Sequence, residues 1–475
     1  MYAFMKSSYP FFVLLFITLP LQSKPPIVTP PDMPVLGEVE PWLFEHIMNA
    51  EDKDGSLAKV YQKESFQELV KKHKLRLFGG PMLSSVTDSS AVVWLRTPKP
   101  EKISVEIFDP AGISVSKASA QTSEKDDLTA KIKVCGLSPL TKYSYKLSDS
   151  QGEIPLKNAN FRTAPAKDQK ATVRLAFGGG SRYNHPKEYI WNTIADQNPD
   201  MFLFLGDNLY MDKPKDRNLQ RVYYYRRQLR PEYQNMSAST AIYAIWDDHD
   251  FGDNDSAGGL DPFKPDWKVP VWRVFKENWA NPGFGNGEEY PGCWFKFSYG
   301  DIDFFMTDGR YYRDFKKGTM LGPKQKEWLL KSLQESTATF KVIASGTLWT
   351  ETADKGGKDS WWGVKEEREE IFSLIDQEKI GGVILISADR HRTDVYEIKR
   401  PNGYTLYEFE TSKLTNNHTH GTKKQAIFSY NKGNFFGQLE FVQGIEDPTV
   451  TFKCITIEGK EVYELQLKRS QLEKK

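Results

Sequence analysis

Three carboxylates and an imidazole stand together at Asp247-Asp248-His249-Asp250, directly after Trp246 and the apolar run Ala241-Ile242-Tyr243-Ala244-Ile245. At the end of a buried strand such a cluster is costly to desolvate unless positive charge sits among its members. A metal ion is the natural partner, because hard cations take carboxylate oxygen and imidazole nitrogen together. The bland alternative is a solvated acidic turn. Two further apolar runs weigh against it. Met201-Phe202-Leu203-Phe204-Leu205 stops at Gly206-Asp207-Asn208-Leu209-Tyr210, and Val383-Ile384-Leu385-Ile386 stops at Ser387-Ala388-Asp389-Arg390-His391. The chain has seven histidines, and two of them fall in these motifs. A fourth run, Val173 to Phe177, leads into Gly178-Gly179-Gly180-Ser181-Arg182, where glycines let backbone approach a bound group.

Uninterrupted apolar runs are strands covered on both faces, as in parallel α/β sheets, and ligand groups gather outside the carboxyl ends of such strands. The spacing predicts strands at 173–177, 201–205, 241–245, 302–307, 341–346, 383–386 and 404–409. It predicts helices at 187–197, 216–229, 267–279, 323–335 and 364–377, and a closing hairpin around Glu458-Gly459. Before this domain the period is two, in runs such as Ala91–Leu95, Ser104–Phe108, Ala130–Val134 and Lys142–Leu147. Gly136 to Thr141 followed by Tyr143 resembles the tyrosine corner of a fibronectin type III-like sandwich, with Trp94 suited to a buried early strand. From Pro41 to Lys74 the apolar spacing is helical, broken at Asp54-Gly55-Ser56. The expected organisation is an export peptide at 1–23, a helical segment at 24–77, the sandwich at 78–165 and the α/β domain at 171–475.

Lys6, the apolar stretch Phe11 to Leu19, and Pro20 compose a Sec-type signal that is cleaved near Ser23, which predicts a secreted or periplasmic protein. Its apolar core is about half the roughly 20 residues a spanning helix needs, so no transmembrane segment is expected in the mature chain. A net charge of +1 over 475 residues provides no electrostatic footprint for nucleic acid. Three cysteines at positions 135, 293 and 454 match no metal motif and read as buried structural thiols. Oligomeric state has no signature in the sequence.

The ordered motifs Phe-Gly-x-x-x-Arg, Gly-Asp-Asn-x-Tyr, Trp-Asp-Asp-His-Asp, Thr-Asp-x-Arg-Tyr and Ser-x-Asp-Arg-His resemble those of the alkaline phosphatase D (PhoD-like) branch of the metallophosphoesterases, over roughly residues 75 to 420. The resemblance implies a four-layer αββα sandwich around two sheets and hydrolysis of phosphate esters outside the cytoplasm, with calcium and iron as metals. It implies Asp207 as the bridging carboxylate, Tyr210 as a phenolate ligand, and Asp248, Asp389 and His391 as further ligands. It implies His249 as the histidine that faces the leaving group. Asp247, Asp250 and Asn254 are close enough in sequence to support or replace these ligands, and Asn254 is also a substrate-binding candidate. One departure matters. Where family members carry a cysteine thiolate for ferric iron, this chain has Gly180, or Ser181 if the loop slips by one. That argues against iron and for Ca²⁺, with Mn²⁺, Mg²⁺ or Zn²⁺ compatible.

The chemistry expected is metal-activated water attacking a phosphate ester in line, with Asp207, His249 and Arg390 as catalytic groups. Arg182, Arg310 and Arg390 could clamp phosphate oxygens through their planar forks. An ion pair with Asp308 is the alternative for Arg310. His418 and His420 could rim the site, and His185 is either a loop ligand or a solvated helix start. Two competing functions remain: a catalytically decayed scaffold acting as an extracellular binding protein, and a surface adhesion module centred on the sandwich.

Overall fold

Helical spacing near the N-terminus yields α1 (Val39–Leu43), a π-helical turn at Phe44–Met48, α2 (Leu57–Val60) and α3 (Glu64–Lys72). Asp54 to Ser56 separate the first turns from the later ones, as the turn residues predict. The structure, a computed structural model, describes residues 37–351 and 359–474, so the expected export peptide at 1–23 lies outside the described residues. The apolar face of this segment (Val39, Leu43, Ile47, Leu57 and Phe66) is buried against Val222, Tyr225 and Leu229.

The period-two region folds into β1 (Gly79–Ser84), β2 (Ser90–Arg96), β3 (Lys102–Phe108), β4 (Ser114–Gln121), β5 (Thr129–Cys135), β6 (Lys142–Asp149), β7 (Gly152–Ile154) and β8 (Asn160–Arg162). One sheet runs β1-β2-β5 and the other β4-β3-β6-β7, with β8 on β6. Alternate residues Ile103, Val105 and Ile107, beside Tyr145 and Leu147 of the paired strand β6, share a core with Ile132 and Val134 of the other sheet. The tyrosine corner is present: the Tyr143 hydroxyl accepts the Ser138 N–H at 2.8 Å. Trp94 is fully buried and its indole donates to the Glu277 carbonyl at 3.0 Å. Strand β4 has no sequence signature, because small and polar residues suffice on an exposed edge. Cys293 and Cys454 are buried, but Cys135, at the end of β5, is exposed and corrects the expectation of three buried thiols.

Seven expected strands of the α/β domain form, within two residues of their expected bounds, as β9 (Ala171–Gly178), β10 (Met201–Leu205), β11 (Ala241–Ile245), β13 (Ile302–Met306), β14 (Phe340–Ala344), β15 (Val383–Ser387) and β17 (Leu406–Thr411). The others are β12 (Phe295–Ser298), β16 (Thr393–Ile398), β18 (Phe428–Tyr430), β19 (Phe435–Gln443), β20 (Thr449–Thr456) and β21 (Glu461–Lys468). A six-stranded sheet runs β11-β10-β9-β19-β20-β21, and a seven-stranded sheet runs β12-β13-β14-β15-β17-β16-β18. The sheets face each other through aromatic contacts such as Phe340–Phe441 and Phe409–Phe452, with centroids 5.3 and 4.5 Å apart. Helices α4 (Ile190–Asp196), α5 (Arg217–Gln228), α6 (Pro231–Ser237), α7 (Asp248–Phe251), α8 (Lys268–Asn278), α9 (Gly322–Glu335) and α10 (Lys365–Gln377) complete the αββα layers. Trp191 of α4 and Tyr233 of α6, for example, pack on Phe204 of β10. None of the described helices is long and apolar enough to cross a membrane.

Central strand β19 escapes a sequence reading because Asn434, Gly433 and Gly437 punctuate it like a loop. Gly437 is required there: a Cβ would stand 2.6 Å from the Phe177 ring of the neighbouring strand.

Candidate active site

Parallel pairing puts the ends of β9, β10 and β11 side by side, with Phe204 opposite Gly178 and Leu205 opposite Ile245. The second sheet delivers β15 and β17 in parallel, and an isolated bridge between Gly179 and Ser412 joins the two edges. The glycine run is a close-approach device. A Cβ on Gly179 would meet Ala388 at 2.6 Å, and one on Gly206 would meet Asp247 at 2.4 Å. The motif loops therefore lie against one another.

Asp250 stitches two of these loops. Its carboxylate accepts the Asn208 N–H at 2.9 Å and the Leu209 N–H at 3.0 Å, while the His249 carbonyl receives the Met211 N–H at 2.8 Å. Asp250 thus holds backbone and is not placed as a ligand. Asp247 caps α7 and pairs with Arg310.

The buried Asp207 accepts the Tyr210 hydroxyl on Oδ2 at 2.6 Å, and that hydroxyl lies 3.3 Å from His391 Nε2. Ligand atoms bonded at about 2.1 Å and at right angles to one ion sit about 3 Å apart, a spacing that the Tyr210 hydroxyl keeps to both Asp207 and His391. Donor atoms of Asp207, Asp248 and His249 lie within 4.8 Å of one another. Asp207 Oδ1, Asp248 Oδ1 and His391 Nδ1 are buried without a hydrogen-bond partner. These donors fit a metal centre. Asp389 is near enough to Asp247 to disfavour its charge, and Arg390 Nη1 lies 3.6 Å from Asp389 Oδ2.

Burial pushes the Asp207 carboxyl well above the usual range, with Asp248, Asp247 and Asp250 adding and His249 opposing. Burial likewise raises Asp247 and Asp250 to about 7. Asp248 is the exception: burial would raise it, but Arg310 and His249 outweigh that and lower it. Burial pulls down the proton affinity of His249, yet Asp207, Asp212 and Asp248 together raise it to about 11. Burial, then His418 and His420, lowers that of His391. Burial first, and then the nearness of the carboxylates to one another, favours the protonated form of Asp207, Asp247 and Asp250 but not of Asp248.

Backbone strain marks the same place. Asp207, Tyr210, Asp212, Asp389, His391 and Lys413 all have left-handed φ, between +49° and +92°. Each such residue costs on the order of 1–3 kcal/mol and persists only where surrounding structure over-determines it.

The expected residues meet with differing fortunes. Asp207, Tyr210, Asp248, His249 and His391 come together. The half-buried Arg182 holds its guanidinium 5.8 Å from the Tyr210 ring. Asn254 is exposed beyond α7. Arg310 is a correction. It is fully buried, donating to Asp247 and, at 2.5 and 3.3 Å, to Asp359, so its fork is not open to substrate. Nor is its partner Asp308, whose carboxylate instead anchors Trp246 and the Cys293, Arg310 and Tyr311 amides. His418 and His420 do rim the site, 5.2 and 5.8 Å from His391 between ring centroids. His185 opens a 3-10 turn among Arg230, Glu232 and Glu188 and joins no ligand.

Two functional neighbours escaped the sequence reading. Asp212 binds His249 Nδ1, while Tyr210 stacks on the same imidazole with centroids 4.3 Å apart. Its position five residues after Asp207 in one loop was the available signal. Asn416 faces the Tyr210 hydroxyl from the start of the loop that carries His418 and His420. Gly180 sits where a thiolate was sought: a Cβ there would be 3.3 Å from His391 Nδ1 but 2.8 Å from the Lys413 N–H. Ser181 gives its hydroxyl to the Asn208 carbonyl at 2.8 Å, so neither residue supplies a ligand here.

Two facing sheets with acidic and imidazole donors at adjoining strand ends define a metallophosphatase-type fold. Residues 175–443, more than half of the chain, match the PhoD-like phosphatase family, and the chain belongs to that family. Residues 74–166 match a domain of unknown function, DUF7800. Alkaline phosphatase D of Bacillus subtilis (strain 168) is 22% identical over 305 residues, 54% of this chain and 52% of that protein. The chain thus spans about half the length of this curated relative. The solved structure of PhoD superposes with a TM-score of 0.70 at 17% identity, over 83% of this chain and 90% of that one. The purple acid phosphatase PPD1 from yellow lupin seeds gives 0.61 at 14% identity, over 82% and 75%.

Proposed function

We propose that this protein is an exported, metal-dependent phosphoric ester hydrolase acting on monoesters or diesters. The observation that carries this reading is the buried Asp207, whose Oδ1 has no hydrogen-bond partner and whose carboxylate lies within 4.8 Å of donor atoms of Asp248 and His249. Family membership supports phosphoesterase chemistry, and the relative named alkaline phosphatase D supports a phosphatase. Asp207, Tyr210, Asp248, Asp389 and His391 would hold two or more ions. Bound cations supply Lewis acidity and a water of lowered pKa at neutral pH.

The chain's own residues do the rest. Asp212 holds His249 through Nδ1, which leaves Nε2 to give a proton to the departing oxygen. The Tyr210 ring fixes the plane of that imidazole. Arg182 and Arg390 would bind phosphate oxygens, and Asn254, exposed beyond α7, would contact the substrate. Asp247 and Asp250 support the ligands by holding Arg310 and the Asn208 amide. With oxygen and nitrogen donors only, calcium or another divalent ion is the fitting metal, and iron is disfavoured.

The missing thiolate at Gly180 favours one second reading, a decayed scaffold that binds phosphate esters without turnover. Chromogenic monoester and diester substrates, assayed with and without chelator beside metal analysis of the purified protein, separate the two. Metal-dependent turnover of either ester supports the hydrolase; stoichiometric metal without turnover of any ester overturns it.

A further inference from the structure

Two consecutive arginines of α5, Arg226 and Arg227, grip the loop that carries Arg182 from both sides. Arg227 donates to the Ser181 carbonyl at 2.7 Å, one residue before Arg182. The Arg226 guanidinium lies over the Tyr183 ring at 3.5 Å, one residue after it. Each guanidinium has its own buried carboxylate. Glu188 takes Arg227 at 3.0 Å and also accepts the Asn184 N–H at 3.1 Å and the Trp191 indole at 2.7 Å. Arg226 pairs with Glu40, which is 2% exposed and belongs to the N-terminal helical segment. That segment lies outside both matched regions, 74–166 and 175–443.

We infer that Glu40 is a positioning residue for Arg182, acting through the buried Glu40–Arg226 pair and the stack of Arg226 on Tyr183. The physical argument is one of orientation. Arg226 reaches Tyr183 as a flat cation face, and such a face is held at a fixed tilt only when its edge nitrogens are engaged. Glu40 sets its carboxylate against the Nε edge as an ion pair. The pair is desolvated, so without the carboxylate Arg226 would turn toward solvent or another acid and release the ring. Tyr183 is adjacent to Arg182, whose guanidinium stands 5.8 Å from the Tyr210 ring at the metal-ligand end of the site. The N-terminal segment is therefore part of the apparatus that aims the phosphate clamp, although Glu40 acts on it only through Arg226 and Tyr183.

This inference rests on Arg182 being a phosphate-binding group, and two independent readouts keep the two claims apart. In the full chain, E40Q keeps the side-chain shape and removes the charge. Hydrogen exchange at residues 181–184 should quicken in E40Q while β9 and α5 keep their protection; unchanged exchange in that loop overturns the clamp. In kinetics on a chromogenic phosphate ester, E40Q should raise KM about tenfold with kcat within about twofold, as misplacement of a binding group does. R182A should do at least the same, and E40Q/R182A should be no worse than R182A. Losses that add in the double variant overturn the inference, because a merely structural role would act independently of Arg182. If wild type turns over no ester, the functional reading fails and the exchange result alone decides the clamp. Should E40Q not fold, E40L/R226M, which buries no lone charge, takes its place with the same expected results.

Discussion

Replacing Arg310 with methionine separates a structural guanidinium from a substrate-binding one. Arg310 is fully buried and bridges Asp247 on one side to Asp359 on the other, with Asp248 3.6 Å away. Breaking a buried pair from one side costs about 3–5 kcal/mol because the partner charge is left uncompensated. Here the low end applies, since Arg313 also pairs with Asp359 and His249 still opposes the charge of Asp248, so that Asp247 alone loses its hydrogen-bonded cation. A loss of about 3 kcal/mol is roughly a hundredfold in the folding equilibrium. At about 2 °C per kcal/mol for a large domain, it lowers the midpoint by about 6 °C. The assay is thermal unfolding at a fixed scan rate, beside KM for a phosphate ester. Asp247→Asn in the R310M background removes the orphaned charge and keeps a capping residue, so the double variant should recover more than half of the loss. If R310M unfolds at the wild-type temperature while KM rises strongly, Arg310 touches substrate and this reasoning is wrong.

Three further outcomes are expected. His249→Ala should reduce turnover by about a hundredfold or more with metal content retained; proportional loss of metal would make His249 a ligand. Chelation should abolish turnover and calcium or another divalent ion restore it, with little visible absorption; stoichiometric iron with a strong phenolate band in the active protein would sink the assignment of the site to divalent ions. Glu408 is buried under the Trp349 and Thr350 amides and the Ser387 hydroxyl, and burial raises it to about 7 against those donors and Arg368. The folded state therefore binds more protons than the unfolded one between the ordinary glutamate range and pH 7, so this group makes stability fall as pH rises through that window, by at most about 1.4 kcal/mol per unit. E408Q should remove that component from a pH series of denaturant midpoints; an identical slope in wild type and variant would refute it.

Chain chemistry alone determined a good deal. Uninterrupted apolar runs such as Met201–Leu205 and Val383–Ile386 read as strands covered on both faces, because they are too short for a typical buried helix and end at turn-forming or polar residues. Asp207, Asp248, His249 and His391 were legible because each stands at the end of such a run, where a charged group is out of place without a partner. Tertiary structure decided what the sequence left open. Arg310 stands in the same local context as a phosphate clamp, yet which acid it meets depends on where Asp247 and Asp359 fold, 63 and 49 positions away. Asp250 reads like its neighbours but faces backbone amides, because the β10 loop comes to rest on α7. Strand β19 and the partnership of Glu40 with Arg226 were invisible for the same reason. Local patterns report which surfaces must be buried, whereas the partner each surface finds is set by contacts between segments distant in sequence, and those exist only once the two sheets have closed on each other.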